Sequence, residues 1–413
     1  MGTQTACIAM NLSELRIEPI TRSTRDQYMD LCQFCFNMAE WQKDDYFSED
    51  EALACSLAAF DGDRLAAGLW YWRFDMRVRE AYVPMAGVAA VATWPEYRNQ
   101  GIVRKLMMSL QEMMKNTGCP LSVLAPFKHD FYEQMGWAPT FDTFRLKFPP
   151  GNIKSLPDEG YAIREVKGIE HWETFEQLSS EYGTPYNGST CRSEHYWRTR
   201  YFEVPHQVRH AYLVEKDGEP RGFIISRFIN GETGIGPDPE VYSVRQAVWI
   251  DGGAQRAVFR FLRTMRDQVK FIRMDVPPDT GVIHLFDNPV FAMSRLEPKM
   301  MTKLIDIPAA IERIAFDPDL SGSTTLRIPE DSSAPWNVGT YMLTFNDGKA
   351  SVSRVADDAP AISVSIQTLS DMFMGYRSVR ELIYDGALAH PGDSLEMLDQ
   401  AFPKHLTYIE DWF

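Results

Sequence analysis

The chain has 413 residues, 45% hydrophobic and 24% charged, the balance of a folded chain rather than a disordered one. Its formal net charge of −15 argues against a nucleic-acid partner, which needs a basic face to displace phosphate counterions. That acidity suits a cationic partner, such as a polyamine or an aminated sugar, although solubility alone is a sufficient reason for it.

The length exceeds one ordinary core and points to roughly two to four domains. Residues 1–10 lack a basic region followed by a long apolar stretch, and no apolar run is long enough to span a bilayer. A cytoplasmic chain without a membrane partner is expected. Cys32 and Cys35 form a lone CxxC with no second ligand pair at metal-site spacing, so free thiols and no metal are expected.

In chain order, residues 31–38 have helical spacing. A turn at Asp61-Gly62-Asp63-Arg64 leads into a strand over 65–72. Residues 87–93 are small, apolar and β-branched, as in a buried strand. Pro95 opens a turn, and Ile102, Val103, Leu106, Leu110, Met113 and Met114 mark one face of a helix over 102–115 that Gly118 stops. A short strand over 121–126 and a short helix over 130–135 follow. Strand, helix, strand predicts two neighbouring strands with a crossover helix.

Residues 148–152 read as a linker. Beyond it the order repeats: a turn at 215–218, strands over 222–228 and 244–250, and a helix over 257–269. The turn after the second strand is Asp251-Gly252-Gly253-Ala254-Gln255, without the basic residues of the first copy. The last segment alternates as strands over 340–345, 351–355 and 361–366, with a hairpin turn at Asn346-Asp347-Gly348. Helices are expected over 369–376, after a capping box at Ser378–Glu381, and over 395–402.

The chemistry concentrates in Val91-Ala92-Thr93-Trp94-Pro95-Glu96-Tyr97-Arg98-Asn99-Gln100-Gly101-Ile102-Val103-Arg104. A strand runs through a polar turn into a helix whose first amides lack intrahelical partners and can bind an anion. Gly101 permits close approach, and Arg98 or Arg104 can add charge-assisted bonds. An ordinary strand-to-helix turn with a solvated tip is the bland alternative.

This stretch, with Arg98-x-x-Gly101-x-Val103, resembles the coenzyme-A-binding turn of the GNAT acetyltransferases. Val103 replaces the usual last small residue, as in the Eis branch. The run Pro126 to Trp137, with its Tyr132-x-x-x-Gly136-Trp137 ending, is similar to that branch too. Residues 363–369 and 373–378 resemble a sterol-carrier-protein domain.

The resemblance implies an α/β (α+β) fold: a catalytic GNAT domain over 1–150, a degenerate GNAT-like domain over 151–294, and a small sterol-carrier-like α+β domain over 295–413. It implies acetyl-CoA as cosubstrate and an amine acceptor, either a small molecule or a protein lysine. It also implies a homo-oligomer, with hexamers the tendency. Val91, Ala92 and Thr93 are expected against the thioester and pantetheine arm, Asn99, Gln100, Gly101, Ile102, Val103 and Arg104 around the pyrophosphate, and Phe127 and Lys128 beside the reactive end.

By the same resemblance, Tyr132 is the general acid, and the α-carboxylate of Phe413, the last residue, is the base. The aromatic pair Trp412-Phe413 is suited to an apolar channel. The loop over 41–47, with three aromatics and two acids, is a candidate acceptor lining. Tyr182 to Tyr186 and Trp197-Arg198 are candidates for holding the second domain against the first. Competing readings are a non-catalytic ligand- or lipid-binding scaffold and a transferase of longer acyl chains.

Overall fold

Apolar runs separated by glycine and proline turns set the strands of the chain. The computed structural model describes residues 15–36, 50–204, 207–229 and 241–413. Its first strands are β1 (Arg16–Glu18), β2 (Ser56–Asp61), β3 (Arg64–Val78), β4 (Ala81–Thr93), β5 (Leu121–Leu124) and β6 (Ala138–Phe148). Then come β7 (Tyr161–Val166), β8 (Thr190–Cys191), β9 (His210–Lys216), β10 (Glu219–Ile229), β11 (Val241–Trp249), β12 (Phe271–Val276) and β13 (Met293–Leu304).

All lie in one sheet of order β1-β2-β3-β4-β5-β13-β6-β12-β11-β10-β9-β7, with β8 against β3. The expected crossover is present: β4 and β5 are parallel and joined through the helix Ile102–Asn116. That helix buries Ile102, Leu106, Met107, Leu110 and Met114 against the sheet, each worth about 2 kcal/mol of apolar burial.

β13 lies between β5 and β6, antiparallel to both, so the 294/295 division drawn from sequence falls inside a strand of the first sheet half. Its two lysines, Lys299 and Lys303, are buried, which disguises Met293–Leu304 as a surface segment in the sequence.

The C-terminal unit is a second sheet, β14 (Gly322–Ile328), β15 (Gly339–Asn346), β16 (Lys349–Val355) and β17 (Ile362–Ser363), in the order β16-β15-β14-β17. Positive φ at Asp347 and Gly348 makes the expected hairpin turn. The strand expected over 361–366 is confined to Ile362–Ser363, because Ser365 accepts from the Thr368 N–H and caps the helix Ile366–Met374. That helix starts three residues before expectation and ends where Gly375 turns left-handed. The capping box at Ser378 and Glu381 is formed. The helix expected over 257–269 is Gly252–Arg263, then a 3-10 turn.

The helix expected over 31–38 is Arg25–Phe36, and residues 37–38 and the candidate loop over 41–47 lie outside the described residues. Trp197 is buried within the second domain among Phe175, Tyr201 and Phe202, and Arg198 pairs outward with Glu194 and Glu203. The two domains are joined by β6 against β12, by β3 against β8 and by Arg77, whose amide donates to the Ser189 carbonyl at 2.7 Å and whose Nε donates to the Thr184 carbonyl at 3.2 Å, so of the two expected segments it is Tyr182 to Tyr186 that meets the first domain. Among the described residues no helix is long and apolar enough to cross a membrane.

Candidate active site

The site begins with a defect in β4. Trp70 pairs with Ala89 and Gly68 with Ala92, so one residue of β3 faces two of β4. This is a bulge, with Ala90 at φ 48° and its carbonyl held by the Tyr28 hydroxyl at 2.6 Å. Gly68 makes room for Tyr28: a methyl group there would stand 2.6 Å from the ring. The pairing of β4 with β5 stops at Val88 and Leu124, yet β4 continues to Thr93. Beyond that point the strands part.

A cavity of about 910 Å³ occupies the parting. Val91, Thr93, Asn99, Gln100, Gly101, Ile102, Val103, Arg104, Phe127, Lys128, Tyr132 and Phe413 all line it. Ala92 does not, since its methyl points into the core on the other side of the strand.

The turn after Thr93 presents bare amides. Asn99 and Gly101 have positive φ, and no side chain caps the helix Ile102–Asn116. The N–H groups of residues 99–104 make no hydrogen bond to another described residue. They surround the positive end of the helix dipole, with exposed Arg104 beside them, an arrangement suited to a diphosphate. Arg98 is turned inward: its Nε donates to the Thr93 carbonyl at 3.1 Å and its Nη2 lies 3.7 Å from Cys35 Sγ. It therefore braces the turn. Thr93 Oγ1 is buried without a partner at the cavity wall.

The second copy of this turn is filled by its own side chains. Asp251 accepts from the Ala254 N–H and from the Tyr161 hydroxyl, and the Tyr161 ring lies over Gly253, where a methyl group would stand 2.5 Å from it. An anion has no place there.

Tyr132 is on the short helix His129–Glu133, packed edge-on against Phe127 and Phe131. Burial pushes its phenol well above the ordinary range, and the hydroxyl has no hydrogen-bond partner among the described residues. β13 and the C-terminal domain fix this helix from below. Gln367 donates to the Glu133 carbonyl at 2.9 Å, Ser332 to that of Gln134 at 3.3 Å, and Lys303 and Ser333 to that of Met135 at 2.8 and 2.6 Å. Lys303 is completed by Asp331 at 2.7 Å, with both side chains buried. Burial lowers the Lys303 ammonium to about 8, with Asp331 opposing the shift.

The chain end reaches the cavity along a polar track. Tyr408 N–H donates to the Asn187 carbonyl at 3.0 Å, and Lys299 Nζ donates to the carbonyls of Ile409 and Glu410 at 2.8 and 3.2 Å. Arg192 pairs with Asp411 at 2.8 Å and Glu410 at 3.1 Å, and Thr190 donates to Asp411. Burial would raise the Asp411 carboxyl, but Arg192 holds it below the usual range. The Phe413 ring is buried against Gly87 and lies 5.6 Å from that of Phe74, whereas Trp412 is 51% exposed. So Phe413 alone is anchored in apolar surroundings.

Sequence reasoning did not find Arg192, Lys299, Lys303, Asp331 or Ser333. A buried charge carries no local signal.

Comparison with known proteins agrees with this geometry. Residues 16–140 and 188–311 each match an acetyltransferase (GNAT) domain family, and residues 307–410 match a sterol carrier protein domain family. This chain is a GNAT-type N-acetyltransferase. Its two GNAT domains stand in tandem before a sterol-carrier-like domain, the architecture implied by the Eis resemblance. An uncharacterized N-acetyltransferase of Streptomyces avermitilis is 23% identical, covering 78% of this chain and 79% of that one. N-acetyltransferase Eis of Mycobacterium tuberculosis is 22% identical, with the same coverage of each. A GCN5-related N-acetyltransferase of Anabaena variabilis shares the fold of this acetyltransferase, with a TM-score of 0.85 at 19% identity over 97% of this chain and all of that one.

Proposed function

We propose that this acetyltransferase moves the acetyl group of acetyl-CoA to an amine by direct attack, with Tyr132 as acid and the Phe413 carboxylate as base. One observation carries this reading: a single cavity joins bare amides 99–104, Thr93, Tyr132 and the last residue of the chain.

The amides of Asn99, Gln100, Gly101, Ile102, Val103 and Arg104 hold the diphosphate, with Arg104 adding charge. The edge of β4 freed by the bulge, Val91 to Thr93, takes the pantetheine arm, where Ala92 can contribute only its backbone. Phe127 and Lys128 cover the reactive end. The Phe413 α-carboxylate, ionised at neutral pH, accepts a proton from the attacking amine. The Tyr132 phenol stays protonated because it is buried, so it meets the forming thiolate as a donor.

Aminoglycoside-like amines, polyamines and protein lysines share the attacking group this chemistry needs. A homo-oligomer, with hexamers the tendency, and a cytoplasmic setting go with the same reading. Acetyl-CoA turnover against a panel of amines tests it. Turnover with one or more amines, reduced about 100-fold or more in Tyr132→Phe, is expected. No turnover with any amine, or full activity in Tyr132→Phe, contradicts it.

A further inference from the structure

Away from the cavity, the second domain gathers positive charge on one sheet face. Lys147 of β6 pairs with Arg273 of β12, Arg273 with Ser243 of β11, and Ser243 with Arg227 of β10. Directly paired residues share a face, so three cations stand in one row across four strands. Arg209 precedes His210, which pairs with Ser226, and so extends the row at its far end. Arg245 follows Ser243 by two residues.

Like charges opposite one another destabilise a sheet. Burial, followed by Arg245 and Arg227 as neighbours, lowers the Arg209 guanidinium to about 9. Burial with Arg273 and Arg245 lowers that of Arg227. Further along the same strands the sheet pairs its charges in the ordinary way: Arg145 meets Asp275 at 2.9 Å and Glu297 at 2.7 Å. By contrast, Arg227, Arg245 and Arg273 make no ion pair with a described carboxylate. Arg273 reaches only the Ser243 hydroxyl at 3.4 Å, and Arg245 lies 5.0 Å over the Tyr201 ring. A chain of net charge −15 has carboxylates to spare, yet among those described Asp411 acts on Arg245 only from a distance and none pairs with Arg227 or Arg273.

Arg245, beside the row, lies toward the chain end through Tyr201. The Tyr201 hydroxyl donates to Asp411, two residues before Phe413. Arg200 lies 5.4 Å over Trp72, which neighbours Phe74, and Phe74 meets Phe413.

We propose that this face is an anion-binding site that takes the phosphate or carboxylate of an amine acceptor while its amino group reaches the acetyl group beside Phe413. The inference rests on the acetyl-transfer reading and narrows the acceptor to an amine that also bears an anion. It reverses the preference that net charge alone suggests.

Matched amines test it: O-phosphoethanolamine against ethanolamine, and 4-aminobutyrate against butylamine, at saturating acetyl-CoA. Expected is a kcat/KM about tenfold or more higher for the anionic member of at least one pair, shrinking in high salt. In Arg227→Gln/Arg273→Gln that ratio falls toward unity through KM, with acetyl-CoA affinity measured calorimetrically as the check on folding. A wild-type ratio of one or less in both pairs overturns the proposal, as does a ratio that survives in the double variant. If no amine of either pair is acetylated, titration with inorganic phosphate decides the site separately. Binding lost in the double variant upholds an anion site, and no binding by the wild type overturns it.

Discussion

The ring of Phe413 rests on the backbone of Gly87: a methyl group at residue 87 would stand 3.0 Å from two of its ring carbons. Gly87 belongs to β4, three residues before the bulge at Ala90, so the last residue of the chain is seated on the strand that opens the cavity. Gly87→Ala must move that ring by a few tenths of an ångström. A kcat lowered about tenfold with unchanged acetyl-CoA affinity is expected, read by steady-state kinetics and calorimetry. Unchanged kcat would show that the seat of Phe413 is not critical.

Extending the chain beyond Phe413 replaces its carboxylate with a peptide bond. A C-terminal tag is therefore expected to abolish turnover while acetyl-CoA still binds, and deletion of Phe413 to do the same. Full activity in the extended protein removes the carboxylate from the mechanism.

The Lys303–Asp331 pair ties the helix of Tyr132 and β13 to the C-terminal domain. Removing one partner leaves a buried charge uncompensated, so Asp331→Ala is expected to cost about 3–5 kcal/mol in denaturant unfolding. A loss no larger than that of a surface substitution would place the pair in contact with water.

Lys299 gives a pH signature. Burial lowers its ammonium to about 8, below its ordinary 10.5. Below pH 8 the folded chain bears the full cost of a buried charge. Between pH 8 and 10.5 the unfolded chain keeps a proton that the folded chain has lost, so stability contributed at this site rises with pH. The stability of the wild type is expected to rise more, or fall less, than that of Lys299→Met between pH 7.5 and 9.5, measured by unfolding midpoints. Parallel pH profiles contradict this.

Much of the fold was legible because its signals are local. The spacing from Thr93 to Arg104, the helix behind it and Tyr132 follow one another within about forty residues, and each sits on an element that pattern alone identifies. The bulge at Ala90 left no mark, since Gly87 to Thr93 reads as an even buried strand. β13 was hidden for a different reason: its partners in the sheet are more than 140 residues away, and two buried lysines break its apolar run. The chain end was expected to be catalytic only by resemblance. What seats it, Arg192 and Lys299, is drawn from two other domains, and pairing across such distances cannot be read from spacing.

Calorimetric titration of acetyl-CoA against S-acetyl-pantetheine, which has the thioester and arm but no diphosphate, probes the grip of amides 99–104 most directly. Binding of acetyl-CoA about 100-fold tighter or more is expected from several charge-assisted bonds. Equal affinities would mean that those amides hold no diphosphate, and the site would need another occupant.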